Sequence, residues 1–369
     1  MLSKERMIDR FLQMVQIYSP SKGEKEMADW LEQYLAERNI EFWSDQAGEA
    51  YGGNGRNIVA HIPGTGKGIP IGFCAHMDQI EPCRNVKAVV DGSIIRTDGT
   101  TTLGGDDKSG IAAILEAVED VLETNAGHRD IWLVFTASEE ISMMGTKHMD
   151  LNMLPCKDLV VADATGDTGV IAYKAPAMEA VRLVFHGKKA HAGIEPEKGI
   201  NAVKVAAEAI SQMHIGRIDA ETTSNIGRIE GGAATNIVTD LVEITAEIRS
   251  HSMEKLAAEL DHMETCCKEA AEKAGAGYEF HHELAYPTLS VDLDCELMRV
   301  TKQAMIGEEI HPELMVIGGG SDANVLAGHG YRSVILGLGM RDVHTVEESL
   351  DTEEMWKAAK VMRRMMTEE

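Results

Sequence analysis

The stretch IPIGFCAHMD, residues 69–78, decides the fold. Its apolar run breaks off at His76 and Asp78, and three later stretches repeat the pattern. DIWLVFTASEE (130–140) ends in Glu139 and Glu140, DLVVADA (158–164) carries Asp163, and RSVILGLG (332–339) leads to His344. Short continuous apolar runs of this kind suit strands buried on both faces. Between the first two lies GIAAILEAVEDVLET (110–124), where Ile111, Ile114, Leu115, Val118, Val121 and Leu122 form one apolar face at helical spacing. Such strands alternating with amphipathic helices predict an α/β fold, a mainly parallel sheet covered by helices on both sides. Ligands of such sheets bind at the carboxyl ends of the strands, where these polar residues gather.

The pattern changes near residue 175. A strand (AMEAVRLVFHG, 177–187), a helix (GINAVKVAAEAISQM, 199–213) and two strands (TSNIGRIEG, 223–231; NIVTDLVEITAEIRS, 236–250) follow in turn. A long helix (252–275) and a last strand (GYEFHHELA, 277–285) complete the series. That β-α-β-β-α-β order is the ferredoxin-like unit. The α/β pattern then resumes. The expected organisation is a discontinuous main domain, residues 1–175 and 287–369, with a ferredoxin-like α+β domain, residues 176–286, inserted in it.

With 369 residues the chain is long enough for two cores. No stretch approaches the roughly 20 apolar residues of a membrane helix. The opening MLSKERMIDRFLQMVQ (1–16) spreads its charges along an amphipathic helix, unlike a signal peptide, so a cytoplasmic location is expected. A formal charge of −25 argues against nucleic acid or an anionic membrane as partner, because both demand a basic face. The six cysteines form no CxxC pair and read as reduced thiols.

Taken singly, each polar strand end has an ordinary explanation. His76-x-Asp78 occurs in many turns, Asp107 suits a helix N-cap, and Glu139-Glu140 can open a solvent-exposed loop. Together they are more specific. His76, Asp106, Glu140, Asp163 and His344 supply two imidazoles and three carboxylates. Shared between two ions with Asp106 bridging, each ion receives one histidine, one terminal carboxylate and part of the bridge. Nitrogen and oxygen donors without thiolate suit Zn²⁺, with Co²⁺ or Mn²⁺ as alternatives.

These stretches resemble the M20 metallopeptidase family, in particular its peptidase T-like branch. The resemblance rests on His76-Met77-Asp78, Thr101–Gly110, Ser138-Glu139-Glu140, Asp163 and Val343-His344-Thr345. In the insert it rests on Lys189–Gly193, Pro196, Gly199–Ala202, Ala234–Val238 and Glu247–Arg249, and beyond it on Gly319–Ala323. It implies a zinc-exopeptidase-like fold with a lid and dimerisation domain, two Zn²⁺ per subunit and short peptides as substrates. It also implies roles. Asp78 orients His76, and Glu139 carries the proton from the attacking water to the leaving amine. His191, from a partner's lid, stabilises the oxyanion, Asn236 assists it, Arg249 grips a substrate carboxylate, and Gly320 lies in a substrate-binding loop. M42 aminopeptidases share a similar ligand set, but the insert and the Lys189–Gly193 motif favour M20. An N-acyl amino acid deacylase and a silent binding paralogue are the other readings. Glu139 and the full ligand set speak against the paralogue.

Overall fold

The computed structural model describes residues 1–367. It divides into two compact units. The first comprises Met1–Lys174, Leu289–Ile317 and the residues from Ser321 onward; the second comprises Ala175–Thr288 with Gly318–Gly320.

In the first unit, a nine-stranded sheet has at its centre the four apolar runs read from the sequence, in the order Ile131–Thr136, Ile71–His76, Asp158–Ala164, Arg332–Gly337. All three pairings among them are parallel. The flanks turn antiparallel, with Ile58–Ile62 against Ile131–Thr136 on one side and Val170–Ala175 against Arg332–Gly337 on the other. Every residue of Ile71–His76 and Ile131–Thr136 is buried, as a strand covered on both faces requires. In register, His76 pairs with Thr136, so the turn carrying Glu139 and Glu140 leaves the sheet at the level of His76.

The helix Gly105–Thr124 departs from the one-faced pattern expected of it. Glu116, Glu119 and Asp120 are buried along with the apolar face, while Leu122 is 37% exposed. The helices Lys4–Met14 and Thr352–Thr367 pack on its outer side. The buried acids survive there because cations meet them. Arg6 donates to both oxygens of Glu116 at 2.8 Å, and Arg10 and Arg38 reach Glu119 at 3.2 and 2.6 Å. Pairing of this kind offsets the cost of burying a charged carboxylate.

A small sheet of short strands, not anticipated from the sequence, joins Met340–Arg341, Ser349–Asp351, Ile94–Arg96 and Val89–Asp91. Met340 pairs with Leu350 and Arg341 with Ser349, so His344 rides in the loop of an antiparallel hairpin.

The second unit is a five-stranded antiparallel sheet. Its order is Gly216–Arg217, Thr222–Gly231, Leu241–Ser250, Ala177–His186, Gly277–Tyr286. Leaving aside the two-residue strand, the order is that of the ferredoxin-like unit. Its core joins Leu183, Phe185 and Ile244 from the sheet to Val205, Leu256 and Met263 from the helices Ala202–Gln212 and Met253–Ala274. Gly318–Gly320 belongs with this unit. Arg249 donates to the Gly318 carbonyl at 3.3 Å, and a Cβ on Gly320 would stand 2.3 Å from the Tyr286 ring. No helix among the described residues is long and apolar enough to cross a membrane.

Candidate metal centre

Asp106 is the middle of the site. One of its oxygens lies 2.9 Å from His76 Nε2, and the other lies 3.2 Å from His344 Nε2. Each histidine meets a second carboxylate. Glu140 Oε2 is 2.9 Å from His344 Nε2, and Asp163 Oδ1 is 3.8 Å from His76 Nε2. Five side chains from five separate segments thus form two histidine–carboxylate groups sharing one aspartate.

Local structure explains how each is held. His76 ends its strand, and its Nδ1 faces Asp78, 3.1 Å from the carbonyl and 3.3 Å from the carboxylate. The Asp78 carboxylate also accepts the amides of Glu139 and Glu140, at 2.9 and 3.2 Å, and the Ser21 hydroxyl at 2.7 Å. One buried aspartate therefore aligns a histidine and fixes the turn of the two glutamates. Asp106 precedes the regular helix, and its backbone is non-helical. Asp107 supplies the cap, accepting the Gly110 amide at 3.2 Å with one oxygen and the His76 amide at 3.2 Å with the other. The chain at His344 takes a left-handed φ of +64°, unusual for a residue with a Cβ and frequent at functional sites.

Sequence reasoning passed over Glu348. This buried residue accepts the amides of Leu103 and Gly104 with one oxygen, at 2.6 and 3.0 Å, and that of Asp106 with the other, at 3.0 Å. It fixes the loop carrying the shared aspartate to the hairpin carrying His344. An acid four residues beyond a candidate histidine was the available signal. Asp322, in the quoted Gly319–Ala323 loop, accepts the hydroxyls of Thr136 and Thr146 at 2.5 and 2.6 Å.

The charge balance of the site is lopsided. Burial pushes the carboxyls of Glu139 and Asp163 well above the usual range, and the neighbouring charges of Asp163 and Asp106, respectively, add to it. Burial likewise raises Glu140, although His344 opposes the shift. Burial disfavours a charged His76 ring, yet hydrogen bonds with Asp106 and Asp78 outweigh that and hold its pKa high. His344 is raised to about 10, chiefly by Asp106 and Glu140. Glu140 Oε1 is buried without a hydrogen-bond partner. So many acids in one buried place, with an orphaned oxygen among them, are the setting that divalent cations neutralise.

Donor atoms of His76, Asp106 and Glu140 lie within 4.8 Å of one another, as do those of His76, Asp107 and Asp163. Amides already occupy both Asp107 oxygens, which makes Asp107 a cap and leaves Asp106 as the shared donor. The residues present therefore fit a pair of ions held by nitrogen and oxygen. Cys74 is fully buried and its thiol is pushed up by burial, so it stays protonated.

The other predicted residues lie in the second unit. His191 is exposed on a segment bridged to Ile237, and its Nδ1 accepts the Gly193 amide at 3.2 Å. The Asn236 carbonyl accepts the Ala192 amide at 3.0 Å, so backbone bonds tie His191 and Asn236 into one substructure. Arg249 lines a cavity of about 260 Å³ together with Arg217, Thr223, Glu247 and His251. Its guanidinium is held by both oxygens of Glu247, at 2.9 and 3.0 Å.

Fold and donor set together define a metal-dependent hydrolase. Residues 178–275 match the model of the peptidase dimerisation domain of M20 enzymes, and residues 57–177 match that of peptidase family M28. The YqjE protein of Bacillus subtilis strain 168 is 39% identical over 362 residues, 98% of both chains. The crystal structure of aminopeptidase PepT from Bacillus cereus ATCC 10987 superposes with a TM-score of 0.92 at 36% identity, covering 99% of this chain and 98% of the other. A tripeptidase from Staphylococcus aureus subsp. aureus Mu50 gives a TM-score of 0.96 at 31% identity, covering 100% and 98%. The M28 match reaches only part of the chain, whereas these relatives span all of it. The chain belongs to the M20 metallopeptidases, on their peptidase T-like branch.

Proposed function

We propose that this metallo-exopeptidase is a two-zinc aminopeptidase acting on tripeptides and other short peptides, as a homodimer joined through its second unit. One observation carries the reading: the two oxygens of Asp106 face two different histidines, each with a further carboxylate beside it. The activities named for two relatives above 30% identity, aminopeptidase and tripeptidase, support the substrate class.

His76 and Asp163 would hold one ion, His344 and Glu140 the other, with Asp106 shared. When bound, the ions would polarise the scissile carbonyl and bring the pKa of water towards neutrality. Glu139 takes a proton from the attacking water as the new C–O bond forms. It returns that proton to the amine nitrogen as the C–N bond breaks, so the carboxylate is regenerated. Asp78 keeps Glu139 in place through its amide and keeps the His76 ring in one orientation. His191 of the partner subunit, supported by Asn236, donates to the developing oxyanion. Arg249 receives the substrate carboxylate, with Gly320 in the adjoining loop; while it waits, Glu247 holds its fork in position.

The test is a mass-spectrometric screen of zinc-loaded protein against dipeptides, tripeptides and N-acyl amino acids, with zinc content measured in parallel. Release of the N-terminal residue from tripeptides is expected. Cleavage confined to N-acyl amino acids would make the protein a deacylase, and one ion per chain at full activity would overturn the two-zinc reading.

A further inference from the structure

A second cluster of imidazole, carboxylate and thiol side chains lies inside the ferredoxin-like unit. Donor atoms of His214, Glu259 and His262 fall within 4.8 Å of one another. Glu259 and His262 are one turn apart on the helix Met253–Ala274, and Cys266 follows one turn further along the same face. His214 comes just after the helix Ala202–Gln212. Its Nδ1 is 3.0 Å from Glu259 Oε2, and its ring stacks on that of His262 with centroids 4.1 Å apart. His262 Nε2 is 3.7 Å from the Cys266 sulfur and 3.2 Å from the Gln212 carbonyl.

Glu259 is the residue that needs explaining. It is only 7% exposed, on a helix whose other buried residues, Leu256, Met263, Cys266, Cys267, Ala270 and Ala271, belong to the hydrophobic core. A carboxylate is costly to bury there without a positive partner. His214 reaches one oxygen; the other, Oε1, is buried with no hydrogen-bond partner. Protonating His214 would answer half of this demand. Charging both stacked rings would set two cations face to face.

We infer that His214, Glu259 and His262, with Cys266 as fourth donor once its thiol gives up its proton to solvent, bind one divalent transition ion of the zinc type. Two imidazoles, a carboxylate and a thiol are a borderline-soft donor set, unlike the all-nitrogen-and-oxygen centre of the first unit. Tetrahedral zinc needs its donors roughly 3–4 Å apart. Closing the present spread to that requires the His214 ring to leave its stack while keeping Glu259, and its side chain, 56% exposed, has solvent on its outer side. The buried carboxylate is already in place. Such an ion would bind the end of one helix to the middle of the other and stabilise this unit.

The full-length protein is loaded with zinc, freed of loose metal by passage over a desalting column, and assayed for zinc per chain. His214→Ala and His262→Gln are compared with wild type; His214 is exposed, so its variant tests binding with little risk to folding. Each variant should hold one zinc fewer per chain than wild type while peptidase turnover is unchanged. The zinc-dependent rise in melting temperature should shrink with it. Because the readout is a difference, it does not depend on how many ions the first unit holds. Equal zinc content in wild type and both variants would overturn the site and leave a His214–Glu259 ion pair. In cobalt-loaded protein, a sulfur-to-cobalt absorption band present in wild type and absent from Cys266→Ser would support the thiol as fourth donor. Identical spectra would remove Cys266 from the set.

Discussion

The two units carry their candidate functional side chains in opposite ways. In the first, His76, Asp106, Glu140 and Asp163 are largely buried and held by one another and by Asp78, Asp107 and Glu348. In the second, His191 and Asn236 stand exposed, held by backbone hydrogen bonds. Forcing several acids into a buried space demands fixed geometry, because each misplaced charge is expensive. A side chain that must meet a substrate has to remain accessible. The first arrangement is complete within its unit, whereas the side chains of the second face solvent.

Substitutions can break this contrast or sharpen it. Glu139→Gln should lower turnover by about 10³-fold or more at unchanged zinc content. Retention of a tenth of wild-type rate would take the proton-carrying role from Glu139. His191→Ala should cost about 10²-fold in kcat, again with zinc retained. Activity regained on mixing it with the Glu139 variant would show that the exposed histidine serves a partner subunit; no recovery despite proven subunit exchange would refute that. Glu348→Gln should weaken zinc retention by about 10-fold, since supports of this kind tune affinity without touching the metal. Dialysis against a graded chelator would measure it, and unchanged retention would mean that the Asp106 loop holds itself.

The smallest effect concerns stability. Glu24 is fully buried beside Ser138, with one oxygen unpartnered, and burial followed by the charge of Asp78 raises its carboxyl from 4.5 to about 7. Between those values the folded state keeps a proton that the unfolded chain has lost, so its contribution to stability falls as pH rises through the window. The span corresponds to about 3–4 kcal/mol. Glu24→Gln should therefore gain stability over wild type at pH 8 relative to pH 5, by urea unfolding. A parallel pair of profiles would contradict the shift.

The sheet and the convergence of its candidate ligands were legible because continuous apolar runs ending in His or acid leave few alternatives. Long-range pairing was harder to read. Glu116 and Glu119 lie on a buried face where Arg6, Arg10 and Arg38 meet them, while Leu122 lies at the exposed end of the same helix. Glu348 escaped notice because it acts on backbone amides, which have no signature in residue types. Glu259 and His214, 45 residues apart in sequence, carry no shared motif and meet only in the fold.

The bond from Glu348 to the Asp106 amide spans 242 residues, with the ferredoxin-like insert lying between them in sequence. During synthesis the insert can complete its own core while the hairpin bearing His344 is still unmade. A nascent chain therefore carries four of the five candidate ligands, His76, Asp106, Glu140 and Asp163, well before the hairpin bearing His344 can join them.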